Sequence, residues 1–531
     1  MPTRVIDVGD PANGKAIRLI YTQGMREQYI ALSYCWGVIA SDILTLNAKT
    51  YDSMTHAVKE SDLSKTHQEA LQLARALGIQ YVWIDALCII QGDADDWERE
   101  SKTMADVYGN ATLTVIAGRS ADSRKGFITN NLASKGRPSP CILPIDSSKN
   151  SGTLMVDLPR VSDVGPVSTR AWCFQERLST RRSVIFGDEQ LLFECVKDFN
   201  LENGVSKPNV RRPAFLRPST PVAPSSELQT VRDQVLKEWY QLLNQFTLCR
   251  LSNPHDIFAA IASLAQHASR ILKSRYLAGI WECDIVRGLL WRPCHHFQQG
   301  PAGKIPTTRP KATQLTKETG VVVRAPSWSW AAVQGPVSQA SFSPPRIARH
   351  KDPGYTKVRP KYVNPQGKWT LDDRCGVGTL HMPSCELHLI GHIAQAAVLQ
   401  KPVSGYLESR PRWSKIGKWG ALRHGVLLAD SKEIKTSEGE NDETSSQIVA
   451  MGFFDVSEER HGVEEVWCLL LVLDQGLMLK RNVNGHAWTQ ASRIRGYGDK
   501  CDTKDRAAQY HASAPTLPLI ANMLSELALL I

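Results

Sequence analysis

Two short apolar runs near the start of the chain, Tyr29–Gly37 (YIALSYCWG) and Tyr81–Ile90 (YVWIDALCII), lack the alternation of a half-wet strand. Continuous apolar character over so few residues predicts strands covered on both faces. Between them, THQEALQLARALG sets Leu73 and Leu77 four apart. That spacing predicts a helix, with Thr66 and Glu69 as a capping box and Gly78 as its stop. After the second run comes DWERESKTMADVYG, a second predicted helix entered at Asp95 or Asp96 and stopped at Gly109, and then a strand, ATLTVIAG. This β-α-β-α-β order predicts an α/β N-terminal domain with a mostly parallel sheet.

Farther along, STRAWCFQERLSTRRSVIFGDEQLLFEC predicts a short helix and a strand pair around Gly187. The proline, arginine and serine of 206–226 read as a linker. VRDQVLKEWYQLLNQFTLCRL, HDIFAAIASLAQHASRIL and YLAGIWECDIVRGLLW are predicted helices. Strands and loops follow, GTLHMPSCELHLIGHI and VWCLLLVLDQGLMLKR being the clearest β segments, with SKEIKTSEGENDETSSQ expected as a mobile loop. The expected plan is an α/β domain over 1–205, a linker over 206–230, and an α+β region over 231–531.

Composition narrows the class. With 531 residues, 42% hydrophobic and 22% charged, the chain exceeds one core and is otherwise ordinary for a globular protein. The net charge of +10 is spread out. Its densest basic stretch, RIARHKDPGYTKVRPKY, comes without a nucleic-acid-binding signature, so a solvated surface is expected and no specific nucleic acid. Twelve cysteines include no CxxC pair, and most lie in apolar segments, which points to reduced thiols. Cys283, Cys294, His295 and His296 fit no standard zinc spacing. No membrane-spanning run and no apolar signal core are visible, so a cytoplasmic location is expected, the nucleus remaining open. Neither GxxxxGK[ST] nor GxGxxG occurs, which counts against ordinary NTPases, kinases and Rossmann dehydrogenases.

The acids are the candidate chemistry. At about 100° per residue, Trp97, Ser101, Met104 and Tyr108 share one side of their helix. Glu98 and Arg99 point away, but Glu100 falls at the edge of the buried side, where a carboxylate must be solvated in a cleft, paired, or shifted toward neutrality. Asp85 lies near the C-terminal end of a strand, where open α/β sheets gather ligand sites. Either acid can equally cap a turn or bond an arginine; with Asp96 they make a cleft a reasonable expectation. Ser33 has no visible His-Asp partners. Trp36, Trp83, Trp97 and Trp172 read as core anchors before ligand platforms. Arg170, Glu176 and Arg177 can pair internally, or an arginine here can hold a phosphate.

Three blocks, at 29–37, 77–117 and 168–195, resemble the fungal heterokaryon-incompatibility (HET) domain in order and spacing. The likeness is specific over roughly 25–197, and YLAGIWECDIVRGLLW, APSWSWAAVQGPV and CLLLVLDQGLML resemble the C-terminal region of such proteins. The third block departs from the pattern: Ala171 stands where a glycine is usual, and Leu178 is followed directly by Ser179. The resemblance implies a role in fungal non-self recognition and programmed cell death, through an incompatibility partner protein or self-association. HET domains are in turn similar to TIR domains, many of which hydrolyse NAD, and this implies a TIR- or flavodoxin-like winding. By that second likeness Glu100, in Trp97-Glu98-Arg99-Glu100, would be the catalytic carboxylate, with Asp85, Asp96, Arg170 and Trp36 shaping the pocket. NAD would then be the substrate, and no cofactor or metal is implied. A non-catalytic signalling module and an inactive paralogue are the competing readings.

Overall fold

The structure, a computed structural model, describes residues 1–10, 13–37, 43–128, 141–147, 150–156, 165–188, 190–202, 206–209, 212–217 and 228–293, and shorter stretches, mostly strands, beyond 293. Two compact units are present: Met1–Trp239 with Cys249–Leu272, and Tyr240–Leu248 with Lys273–Ile531.

In the first unit β1 (Arg4–Asp7) and β2 (Arg18–Tyr21) precede β3 (Tyr29–Ser33), α1 (Tyr51–His56), α2 (Lys65–Ala76) and β4 (Tyr81–Trp83). Then come α3 (Asp85–Cys88), α4 (Ala94–Asn110) and β5 (Leu113–Ile116). A hairpin, β6 (Cys141–Ser147) and β7 (Asn150–Val156), is followed by α5 (Ala171–Ser179) and by β8 (Arg182–Phe186), β9 (Leu191–Cys195), β10 (Asp198–Leu201) and β11 (Ser206–Pro208). Beyond these lie α6 (Leu228–Phe246), which belongs to this unit as far as Trp239, and α7 (Ala262–Leu272).

Nine strands form one sheet in the order β11-β10-β9-β8-β5-β3-β4-β1-β2. Its centre, β4-β3-β5-β8, is parallel. Both margins, β8 to β11 and β4 to β2, are antiparallel. The expected parallel sheet is therefore the central part of a mixed one. In chain order the parallel strands lie second-first-third-fourth, so the winding reverses between β3 and β5. Every residue of β3 is buried, as two-sided cover requires. Burial of side chains such as Ile30, Leu32, Val82 and Val115 contributes roughly 1.5–3 kcal/mol each.

Several local expectations are corrected. The second apolar run is a strand only over Tyr81–Trp83. Asp85 Oδ1 accepts from the next amide, Ala86 N, at 2.7 Å, and this local bond starts a helical turn in place of further strand. Helix α2 is capped by Ser64, whose side chain accepts from His67 N; Thr66 and Glu69 lie buried inside it. Helix α4 is capped by Asp93, which accepts from Asp95 N and Asp96 N, and it runs through Gly109 to Asn110. The segment YLAGIWECDIVRGLLW, expected as one helix, begins as a hairpin. Ala278 (φ 43°) and Gly279 (φ 95°) turn the chain between Tyr276–Leu277 and Ile280–Trp281, and the helix is only Ile285–Leu289.

The expected linker contributes β11 and a buried turn at Phe215 and Leu216. The second unit includes a closed barrel of Ile393–Leu399, Gly425–Asp430, Ile448–Phe454, Trp488–Gly496, Gln475–Arg481 and Glu465–Val472. The acidic loop expected at 431–447 lies outside the described residues, as does nearly all of the basic stretch 346–362. Among the described residues no helix is long and apolar enough to cross a membrane.

Candidate functional site

The inward acids of α4 meet a guanidinium that no local pattern announces. Arg4, on β1, sends Nη2 to within 2.5 Å of Asp96 Oδ2 and 3.5 Å of Glu100 Oε1. Its Nε donates to Cys88 O at 2.7 Å. Asp96 also accepts from Ile90 N at 2.8 Å and from Arg99 Nη2 at 2.9 Å. Burial alone would raise the Asp96 carboxyl, but Arg4, the Ile90 amide and Arg99 more than offset it and hold it below its ordinary value. Glu100 goes the other way: burial raises it, against the pull of Thr3 and Arg4. Glu100 is 4% exposed. The network ties β1, the turn after α3 and helix α4 together.

A second cluster forms where the chain leaves the parallel strands. Ser33, Tyr34, Cys35 and Trp36 follow directly along and beyond β3, and Asp85 opens α3 just past β4. These are the C-terminal strand ends beside the reversal of winding, the place where open α/β sheets form ligand crevices. Trp36 Nε1 donates to Asp85 Oδ2 at 2.8 Å. The Trp36 carbonyl is held by Ser123 Oγ at 3.0 Å. Gly37 follows at φ 103°, and a Cβ there would lie 2.7 Å from the Asp122 carboxyl carbon, so the turn that presents Trp36 requires glycine.

Arg170 enters from the third sequence block. Its backbone pairs with Arg250, and Ala171 N donates to Arg250 O at 3.0 Å, which fixes the entry to α5. Arg170 Nη1 donates to Tyr34 O at 3.1 Å. Cys173 and Glu176 follow at steps of three, on the face of α5 that meets the end of β3; Cys173 Sγ lies 3.8 Å from Tyr34 O. Trp36, Asp85 and Arg170 are half-buried, and Tyr34, Cys173 and Glu176 are buried behind them.

The electrostatics divide these groups. Burial raises Asp85, opposed by Trp36 and Arg170. Burial pushes Glu176 up to about 7, against Ser33 and Arg170, with Asp85 adding to the rise. The Tyr34, Tyr108 and Cys173 protons are all held more tightly, chiefly by burial, so these groups stay neutral. Arg170 keeps its charge: burial would lower it, but the surrounding thiols and carboxyls hold it above its ordinary value. Tyr34 and Ser33 lie within electrostatic reach of the two acids. Ser33 Oγ, Tyr34 OH and Glu176 Oε2 nonetheless close no hydrogen bond of ordinary geometry.

Of the expected residues, the structure brings Trp36, Asp85 and Arg170 together, and groups Asp96 and Glu100 separately around Arg4. Glu176 was expected only as an internal partner of its neighbours. Arg177, not Glu176, makes that pair, through Nε to Glu194 Oε2 at 2.8 Å. The spacing Arg170, Cys173, Glu176 was the available signal, one face of a helix. Trp83 is fully buried and meets Tyr108 edge-on at 5.5 Å, a core anchor as expected. Among the described residues no group of three His, Cys, Asp or Glu side chains could hold a metal; Cys294, His295 and His296 lie outside them. The arrangement offers one fixed cation, Arg170, one carboxyl held by two donors, Asp85, and one carboxyl pushed up to about 7 by burial, Glu176, groups able to hold charge and exchange a proton.

No curated protein and no solved structure matches this chain. Residues 29–176, which hold the acids of both clusters and three of the four central parallel strands, match the family described as heterokaryon incompatibility protein (HET), and over that stretch the chain carries a HET domain.

Proposed function

We propose that this protein is a cytoplasmic effector of fungal non-self recognition whose HET domain triggers programmed cell death by hydrolysing NAD. The observation that carries the reading is the meeting of Trp36, Asp85 and Arg170 at the C-terminal ends of β3 and β4. The flavodoxin-like order of the parallel strands supports a TIR-like winding, and this is where such a winding binds its ligand. Arg170 supplies charge for a diphosphate, Trp36 a ring for stacking, and Asp85 a carboxylate beside the ribose as nicotinamide leaves. In this reading Asp96 and Glu100 stand apart from the site, in the network around Arg4. Self-association or an incompatibility partner protein would bring the domain to activity.

A second reading, a signalling module without catalysis, is favoured by the enclosure of Glu100, the acid singled out by the TIR likeness, against Arg4. NAD consumption by purified full-length protein under oligomerising conditions separates the two. Turnover lost in Asp85→Asn supports the enzyme. No turnover in wild type, with death on overexpression intact in both, supports the module.

A further inference from the structure

We propose that Glu176, at the back of the Trp36–Asp85–Arg170 cluster, is the general base of the site, taking the proton of the water that attacks. This rests on the NAD-hydrolysis reading and names a residue that the TIR likeness does not. The step balances as follows. The bond from ribose C1′ to the nicotinamide nitrogen breaks, and its electron pair neutralises the pyridinium. The water oxygen bonds C1′ and its proton passes to the Glu176 carboxylate, then to solvent. The products are ADP-ribose, nicotinamide and one proton.

Geometry distinguishes the two carboxyls. Both oxygens of Asp85 are engaged, one by Trp36 Nε1 at 2.8 Å and one by Ala86 N at 2.7 Å. These two donors oppose the rise that burial imposes on Asp85 and fix its carboxyl in place, where it can face a developing cation. Glu176 is only 6% exposed, and its Oε2 has no hydrogen-bond partner. An unsatisfied buried carboxylate oxygen is costly, and such groups concentrate where they do chemistry.

The groups coupled to Glu176 are Ser33, Tyr34 and Cys35 at and just beyond the end of β3, Asp85 on α3, Tyr108 on α4, and Arg170 and Cys173 around its own helix. Asp85 and Arg170 pull Glu176 in opposite directions, the first raising it and the second lowering it. Burial therefore decides, and the carboxyl sits near neutrality, where a general base works best. Two carboxyls with separated duties are the usual way for one site to hold a fixed charge and a moving proton.

The test is NAD consumption by full-length protein from pH 5.5 to 8.5, for wild type, Glu176→Gln, Glu176→Asp and Glu100→Gln. Wild-type kcat/KM should rise about tenfold per pH unit below 7 and level off above it. Glu176→Gln should lose at least about a hundredfold while its circular dichroism and melting stay those of wild type. Glu176→Asp should keep part of the rate with a displaced pH limb, and Glu100→Gln should keep the wild-type limb. An active wild type with a flat profile overturns the proposal even where Glu176→Gln does not fold. So does a folded Glu176→Gln of near wild-type rate; in both cases NAD hydrolysis itself stands. A wild type inert on NAD overturns the hydrolase reading, and the base with it.

Discussion

Arg4 and Asp96, ninety-two residues apart, meet at 2.5 Å with each side chain 2% exposed. A pair this deep is stabilising only while both members are present, since removing one strands the other without water. Arg4→Ala should cost about 3–5 kcal/mol, because it leaves Asp96 without its main partner and Glu100 without its nearest cation. Glu100→Gln should change stability by less than about 1 kcal/mol. Burial already pushes that carboxyl toward its neutral form, which the amide copies in shape. Urea unfolding of the full chain, followed through its tryptophans, gives both values. Equal losses in the two variants would mean that Glu100, not Asp96, is the principal partner.

His67 yields a prediction in pH. Its ring is fully enclosed in α2, edge-on to Tyr34 at 5.1 Å, and neither nitrogen has a hydrogen-bond partner. Burial lowers it from 6.5 to about 3. The unfolded chain therefore binds a proton between these values that the folded chain refuses. Stability falls as pH drops below about 6.5, by about 1.4 kcal/mol per unit from this residue, and the fall ends near 3. His67→Leu should flatten the pH dependence of the unfolding midpoint between 4 and 6. An unchanged slope would place the acid sensitivity elsewhere.

What the sequence disclosed, and what it withheld, follows the range of the interactions. Helix α4 and its inward acids were legible because a 3.6-residue period is a local property; Asp96 and Glu100 are indeed buried. Their partner was not, since Arg4 sits on a four-residue strand recognisable only by its pairing with β2 and β4. The β1–β2 margin was missed for the same reason, whereas the strand pair expected around Gly187 is the antiparallel β8–β9 pair. Asp85 was rightly placed near a strand end, but the strand was drawn too long, because the bond from its carboxylate to Ala86 N competes with apolar character. Trp36, Asp85 and Arg170 were each nominated. Glu176 was named only as an internal partner, because its burial against the end of β3 is a tertiary property that no local period discloses.

Glu69 and Gly126 make a pair that only the fold reveals. The Glu69 carboxylate accepts from Phe127 N at 2.5 Å and Ile128 N at 2.7 Å, closing the segment after β5 onto α2. Gly126 stands at φ 71°, and a Cβ there would lie 2.6 Å from Glu69 Oε1. Glu69→Ala removes the acceptor of two amides and should cost about 2–3 kcal/mol, while Glu69→Gln, which keeps an oxygen, should cost less. Gly126→Ala should destabilise through both backbone strain and collision. Thermal melting ranks the three. A Gly126→Ala protein as stable as wild type would show that this turn can relax away from α2.

Trp97 and Trp172 join the second and third sequence blocks. Their rings meet edge-to-face, centroids 6.0 Å apart and planes at 87°, and Trp172 Nε1 donates to Asp256 Oδ2 at 3.2 Å. Helix α4 thus rests on α5, the helix that carries Glu176 and is entered at Arg170. The ring pair should be worth about 0.5–1.5 kcal/mol beyond the area it buries. A double-mutant cycle of Trp97→Leu and Trp172→Leu, read by urea unfolding, measures that coupling directly. The cycle also bears on Ala171, which replaces the glycine usual before this tryptophan: it is buried, and its amide is tied to Arg250 O at 3.0 Å. If the alanine seats α5 correctly, Ala171→Gly should lower stability by no more than about 1 kcal/mol and leave the coupling intact. A coupling near zero in the wild-type background would mean that the two blocks do not pack through these rings, and α5 would need another anchor to hold Arg170 and Glu176 against β3.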